Sequence, residues 1–281
     1  MNRKLLAPYG LKFNPFAQEI PVEALLPTAR IESFGLRLER QASEGGFALI
    51  MGPPGSGKSS ALRLLEKRLS ALPDVTVGSL TRPPCGIADL YRELGDRFEV
   101  KLIPHNRWAG AKVLRGLWQA HIESSLLRPV LLVDEAQELQ PTTLTELRLL
   151  ASKDLDSCPL LTIVLCGDSR LLDKLKHPDL LPVASRIRGR LLLDALPRDE
   201  RIACVRHALT AAGNPKLMTP GLIATLCDHS PGDLRSVMNT ADEILQAGLE
   251  RDGCPLDEKL FLEIFSSTTG PKHPKGARRD A

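Results

Sequence analysis

The chain has 281 residues, 43% of them apolar and 25% charged, with a formal net charge of +3. This is an ordinary composition for a soluble globular protein, long enough for one large α/β domain and a smaller satellite, and so small a charge says little about nucleic acid. Six cysteines, at 85, 158, 166, 204, 227 and 254, include no C-x-x-C pair, and several fall within apolar runs; this excludes a disulfide frame or a zinc site and reads as a reduced, cytoplasmic protein. The first residues lack the apolar core of a signal peptide, and no apolar run approaches membrane-spanning length, so no membrane partner is expected.

In chain order, residues 1–28 form a Pro-rich, aperiodic arm with Tyr9, Phe13 and Phe16 around Asn14-Pro15. It reads either as an ordered arm packing its aromatics on the domain or as one that also covers an adenine ring. A helix is predicted over 29–44 from Ile31, Phe34, Leu36 and Leu38. The apolar run 46–51 is a strand, and Leu62, Leu65 and Leu69 place a helix after it. A second strand covers 75–80 and ends at Thr81-Arg82-Pro83-Pro84, where proline removes a donor. Helical patterns follow at 86–98 and 106–127, then an apolar strand from Pro129 that ends in Asp134-Glu135. A helix with Leu144, Leu147 and Leu150, a buried strand at 160–166 and a fifth strand at 190–193 complete the pattern. Near-continuous apolar strands alternating with helices predict an α/β fold with a five-stranded parallel sheet covered on both faces. Beyond Pro197 only helical patterns remain, at 198–212, 219–228, 231–249 and 256–266. The expected organisation is an arm (1–28), an α/β domain (29–196), an all-helical domain (197–266) and a basic, disordered tail (267–281).

Between the first strand and its helix runs Gly52-Pro53-Pro54-Gly55-Ser56-Gly57-Lys58-Ser59, which fits G-x-x-x-x-G-K-[S/T] at every fixed position. Glycines let the backbone aim successive N–H groups at phosphate oxygens, and the helix N-terminus adds partial positive charge. In this pattern residues 52–60 cradle the phosphates, from Gly52 to Ser60. Lys58 reaches the β- and γ-phosphates and Ser59 completes the coordination of Mg²⁺. Asp134 and Glu135 stand at the C-terminal end of a parallel strand, where open α/β sheets place ligands. The first suits Mg²⁺ and the second suits activation of a water. Asp168 closes the next strand, beside the γ-phosphate or simply as a polar strand end. Arg186, Arg188 and Arg190 are either a solvated edge or the source of a finger reaching a neighbouring subunit's phosphate. Arg235 lies in the first turn of a helix, where a cation is locally unfavourable and an outside anion would relieve it.

Taken together these motifs resemble an AAA+ ATPase, and within that superfamily the ExeA-like group, over roughly residues 8–266. The resemblance is carried by Tyr9-Gly10-Leu11, Asn14-Pro15-Phe16, Asp134-Glu135-Ala136-Gln137, Arg186-Ile187 with Arg190, and Gly232-Asp233-Leu234-Arg235. It implies a P-loop NTPase (AAA+) core with a C-terminal helical lid, ATP rather than GTP, Arg186 as the finger, Asp168 as sensor one and Arg235 as sensor two. Gly167-Asp168-Ser169-Arg170 stands where the group has Gly-Gln-Pro-Glu, and Ser59 where threonine is commoner. The group includes type II secretion ATPases that continue into a membrane span, and short cytosolic proteins resembling the MuB- and TnsC-type transposition ATPases. The chain ends soon after its lid. The expectation is therefore an ATP-hydrolysing ring or filament that binds double-stranded DNA and recruits or regulates a transposase; the alternatives are a secretion ATPase at the cell envelope and a slow ATP switch that serves as an interaction module. Candidate DNA contacts are Arg82, Lys101, Arg107, Lys112, Arg115 and the tail's Lys272, Lys275, Arg278 and Arg279, since phosphate contacts dominate non-specific affinity. Trp108 and Trp118 are expected to pack their helix against the sheet, with contact to nucleic acid as the other reading.

Overall fold

The structure, a computed structural model, describes residues 7–84, 86–102, 106–153, 157–230, 232–251 and 254–266. Cys85, Pro231 and the basic tail, with its Lys272, Lys275, Arg278 and Arg279, lie outside them. The chain divides into two compact units, one comprising Pro27–Leu196 and the other the segment up to Leu26 together with the chain from Pro197.

In the first unit, α1 (Ala29–Glu44) leads into β1 (Gly46–Met51), and α2 (Lys58–Ser70) follows the glycine-rich loop. Next come β2 (Val75–Leu80), α3 (Ile87–Arg97), α4 (Arg107–Ser125), β3 (Arg128–Val133) and α5 (Pro141–Leu150). A short antiparallel ribbon, β4 (Ser152–Lys153) with β5 (Cys158–Pro159), precedes β6 (Thr162–Gly167). Helices α6 (Ser169–Leu175) and α7 (Leu181–Ala184) then lead to β7 (Ile187–Leu192). The five longer strands form one sheet in the order β2-β3-β6-β1-β7, every neighbouring pair parallel.

Side chains alternate across a strand, so the central strands feed two cores. Phe47, Leu49, Leu131, Val133, Ile163 and Leu165 meet Tyr91, Leu94, Trp118 and Leu147 on one face. Ala48, Ile50, Val130, Leu132 and Val164 meet Phe34, Leu38, Leu62 and Leu65 on the other. Burial on both faces is why β1, β3 and β6 read as unbroken apolar runs; each Leu or Ile taken fully from water contributes about 2 kcal/mol. The edge strand β7 behaves differently. It starts three residues before the predicted position, because Arg188 and Arg190 occupy exposed sites that alternate with Ile187, Gly189 and Leu191, and the charges disguise the period of two.

Where α3, α4 and α5 meet, the carboxylate of Glu146 is buried. It accepts from the Tyr91 hydroxyl at 2.6 Å and from Arg107 Nε at 2.8 Å, with Arg107 Nη2 at 2.5 Å. Burial and the bond to Glu146 push the Tyr91 phenol far above its ordinary range. A buried acid needs such partners, since leaving it unpaired costs several kcal/mol.

The second unit contains α8 (Arg198–Ala212), α9 (Pro220–His229), α10 (Leu234–Glu250) and α11 (Glu258–Ser266). Its core, around Val205, Leu209, Leu226, Val237 and Ile244, includes Leu11 and Phe16 of the arm, with Tyr9 and Phe13 packed against it. The Tyr9 hydroxyl donates to the Cys254 carbonyl at 2.7 Å and Asn14 Nδ2 to Asp242 Oδ1 at 2.6 Å. Burial, helped by Cys254, pushes the Tyr9 phenol up to about 12. The arm thus completes the helical core. Among the described residues no helix is long and apolar enough to cross a membrane.

Candidate functional site

The register of the sheet assembles the site. Met51, the last residue of β1, pairs with Gly167, the last of β6, and Val133 of β3 pairs with Leu165. The glycine-rich loop therefore leaves the sheet level with the β6 end, and Asp134 follows β3 beside Cys166. Gly52 N–H donates to the Gly167 carbonyl at 3.3 Å. Only glycine fits there, because a Cβ at Gly52 would collide with the Leu193 carbonyl and the Ser56 hydroxyl. Gly57, at φ +89°, caps α2, and its carbonyl accepts from Ala61 N–H at 2.8 Å.

Lys58 opens α2 and is 8% exposed. Its ammonium donates to the carbonyls of Gly52 and Pro53, 3.0 Å each. The two carbonyls take two of its three hydrogens without cancelling its charge, and among the described residues no carboxylate pairs with it. A buried cation at a helix N-terminus is a place for an anion. The Ser56 hydroxyl is buried and lacks a hydrogen-bond partner among the described residues. Ser59 is exposed and Ser60 half-buried, both in the first turn. Glycine turn, bare ammonium and orphan hydroxyl together fit a polyphosphate.

Asp134 is half-buried, and its N–H donates to the Leu80 carbonyl at 2.9 Å. Its Oδ1 accepts from Glu135 N–H at 2.9 Å. Behind it, burial and the Asp134 carboxylate push the Cys166 thiol far above its ordinary value, with Lys58 opposing; this cysteine is packing, as expected. Glu135 is exposed and adopts φ +49°, ψ +38°, a left-handed conformation that costs a non-glycine residue about 1–2 kcal/mol. Strain of this kind at a strand end points to a functional constraint. Among the described residues, no group of three or more His, Cys, Asp and Glu side chains could hold a metal. Asp134 and Ser59 could supply the one carboxylate and one hydroxyl that suit Mg²⁺ where phosphate oxygens and water supply the rest.

Asp168 caps α6, accepting from Arg170 N–H at 2.9 Å. Its carboxylate also receives Arg170 Nε and Nη2, each 2.9 Å from Oδ2, while Arg170 Nη1 lies 2.9 Å from Glu138 Oε1. The Arg170 side chain, aided by its N–H and by Lys58 against the effect of burial, holds Asp168 well below the usual carboxylate range. Sequence reasoning missed Arg170 as this partner, and it missed Gln137 as more than a mark of resemblance. Gln137 donates its amide to the Glu135 carboxylate. The available signal was local: an arginine two residues after an N-cap acid, and a long amide two after a strand-end acid.

Arg186 lies between α7 and β7. Its N–H donates to the Val183 carbonyl at 3.0 Å, and its own carbonyl accepts from Phe47 N–H at 3.3 Å. It therefore stands at the start of β1, about 17 Å, a strand length, from the loop at the other end. Arg188 pairs with Glu44 at 3.2 Å, and Arg190 is exposed. Arg235, in the other unit, is exposed in the first turn of α10, where Asp233 caps the helix by accepting from Ser236 N–H at 2.7 Å. That carboxylate relieves the local conflict the sequence suggested. Arg107, a candidate DNA contact, pairs with Glu146 while its side chain stays 55% exposed. Trp118 is fully buried as expected, whereas Trp108 is 78% exposed and does not pack against the sheet. It falls on the outer face of α4 with Lys112, also exposed. Arg82 and Lys101 are exposed and Arg115 is half-buried.

Comparison with known proteins agrees with this geometry. Residues 40–175 match the AAA domain family. General secretion pathway protein A of Aeromonas hydrophila is 35% identical over 211 residues, covering 74% of this chain and 38% of that protein; the match thus spans well under half the length of that relative. Two solved structures share the fold at low identity. One is the ORC2 protein of Aeropyrum pernix in ADPNP–ADP complexes (15% identity, TM-score 0.73, 93% of this chain and 72% of that one). The other is the ORC1 protein of the same organism in complex with DNA (18% identity, TM-score 0.65, 92% and 70%). The chain has the P-loop NTPase fold, carries a match to the AAA domain family over residues 40–175, and is similar in sequence to a general secretion pathway protein A.

Proposed function

We propose that the chain is an ATP-hydrolysing AAA+ protein of the ExeA-like kind, whose copies assemble around bound ATP. Lys58 carries this reading: a buried ammonium on neutral carbonyls at a helix N-terminus, level with two strand-end acids. Residues 52–60 would hold the phosphates, and Ser59 with Asp134 would hold Mg²⁺, which supplies charge neutralisation at the phosphates when bound. Glu135 would take a proton from the attacking water. Arg186 lies too far along β1 to serve its own loop, so its place in the reaction is on a neighbouring copy's nucleotide. Arg235 keeps the sensor-two role that the resemblance implies. Asp168 and Arg170 together present a paired surface beside Lys58 rather than a bare acid.

The sequence similarity to a secretion protein favours work at the cell envelope with a protein partner. A second reading, assembly on double-stranded DNA with a transposase as client, is supported by Trp108 and Lys112 on the exposed face of α4, in a stretch from Asn106 to Ala120 without an acidic residue. The test combines steady-state ATPase assays with sedimentation, each with and without ATP, Mg²⁺ and duplex DNA. Turnover and assembly that need ATP, and that are lost in Lys58→Ala and Arg186→Ala, support the common reading. Stimulation by duplex DNA selects the second setting; indifference to it selects the first. A chain that neither turns over nor assembles would sink both.

A further inference from the structure

The inference rests on the ATPase reading and concerns how the base is aimed. Gln137 is 4% exposed and sits two residues after Glu135, in the short turn Ala136–Glu138. Its amide oxygen accepts from Asp168 N–H at 3.3 Å. A backbone N–H can only donate, so the oxygen must face β6 and the NH₂ group must face Glu135, whose carboxylate accepts it. The amide therefore ties the acid after β3 to the backbone just after β6.

Other contacts hold Gln137 in place. Lys174 Nζ donates to the Gln137 carbonyl at 2.5 Å and to the Leu139 carbonyl at 2.7 Å, clamping the turn to α6. Gly167 admits the amide because it has no side chain: a Cβ there would stand 2.6 Å from Gln137 Oε1. Glu138 N–H donates to the Glu135 carbonyl at 2.9 Å, closing the turn around the left-handed residue. Glu135 itself is exposed, and among the described residues Gln137 is the only side chain that hydrogen-bonds its carboxylate.

We infer that Gln137 is the positioning residue of Glu135. Its NH₂ group fixes the direction of the carboxylate, and its oxygen makes that direction follow the backbone at Asp168. A movement at the end of β6, where Asp168 and Arg170 flank the phosphate loop, is passed to the base through one amide. The link needs both ends of the amide, so the two ends can be cut separately.

Gln137→Glu keeps the shape and still accepts from Asp168 N–H, but it has no N–H for Glu135 and sets a second negative charge against it. Gln137→Ala removes both bonds. The expected result is a fall in kcat on the order of 10- to 100-fold in each variant, as for other losses of orienting partners. KM for ATP and the affinity for a fluorescent ADP derivative should change by less than about twofold, because neither variant touches the phosphate loop. Hydrogen exchange at Asp168 N–H in the nucleotide-free protein supplies a reading independent of turnover. It should stay slow in Gln137→Glu and quicken in Gln137→Ala. If Gln137→Ala fails to fold, the isosteric variant alone decides the matter. A Gln137→Glu protein with the parent's kcat overturns the positioning role and leaves the ATPase reading intact; a parent that never hydrolyses ATP overturns both.

Discussion

Two adjacent strands of the sheet, β3 and β6, end in acids a few residues from the same loop, and the protein surrounds those acids differently. After β3, the carboxylates of Asp134 and Glu135 accept from neutral donors: a backbone N–H for one and the Gln137 amide for the other. After β6, Asp168 is joined at both oxygens to the Arg170 guanidinium, which also reaches Glu138. Neutral donors orient a carboxylate and leave its charge outstanding, available to a cation or a proton. A guanidinium cancels it. On the ATPase reading the difference divides the work: metal and proton chemistry suit the β3 end, while the β6 end offers an arginine-paired acid beside Lys58, where a bare acid would repel phosphate.

The largest expected effect tests that division directly. Glu135→Gln should lower kcat by about 10²- to 10⁴-fold, the usual worth of a general base, while nucleotide binding persists. Asp168→Asn should cost less than about tenfold, since asparagine still caps α6. Steady-state kinetics on both proteins measures the gap, and equal losses would erase the distinction. A smaller effect is expected from Arg170→Ala, which exposes the Asp168 charge to the phosphates. Nucleotide affinity, read by fluorescence titration, should drop a few-fold, and adding Asp168→Asn to the same protein should restore it. Without that restoration, Arg170 would be contacting nucleotide itself.

The same contrast explains how much was legible in the sequence. Strands buried on both faces announce themselves, so β1, β3 and β6 were readable, and with them the loop and the acids at their ends. Glycine, lysine and strand-end acids sit at fixed spacings because backbone geometry fixes them. The edge strand β7 was read short because its exposed arginines break the apolar run. Trp108 was read as core because α4 buries Trp118 and apolar type alone does not tell which side of a helix faces out. The pairing of Arg107, a candidate DNA contact, with Glu146 was not legible because the two lie 39 residues apart. The pairing of Asp168 with Arg170 is local and could have been found. The reach of Gln137 to Asp168 spans two strands, and only the register of β3 on β6 brings them together.

The smallest effect is also the most specific to charge. Arg170 foremost holds Asp168 below its ordinary value, so the folded protein binds this proton more weakly than the unfolded chain does. By linkage the pairing stabilises the fold at pH above the ordinary carboxylate range, and the contribution is lost as pH falls through the depressed folded value. Arg170→Ala removes the cause. The melting temperatures of parent and variant should therefore differ slightly near neutral pH and converge in acid. The exposure of Arg170, 63% for its side chain, keeps the gap small and makes it shrink with added salt. A gap that survived in acid and in salt would trace the stabilisation to packing of the Arg170 stem on the turn, and the contrast between the two strand ends would then be one of shape as much as of charge.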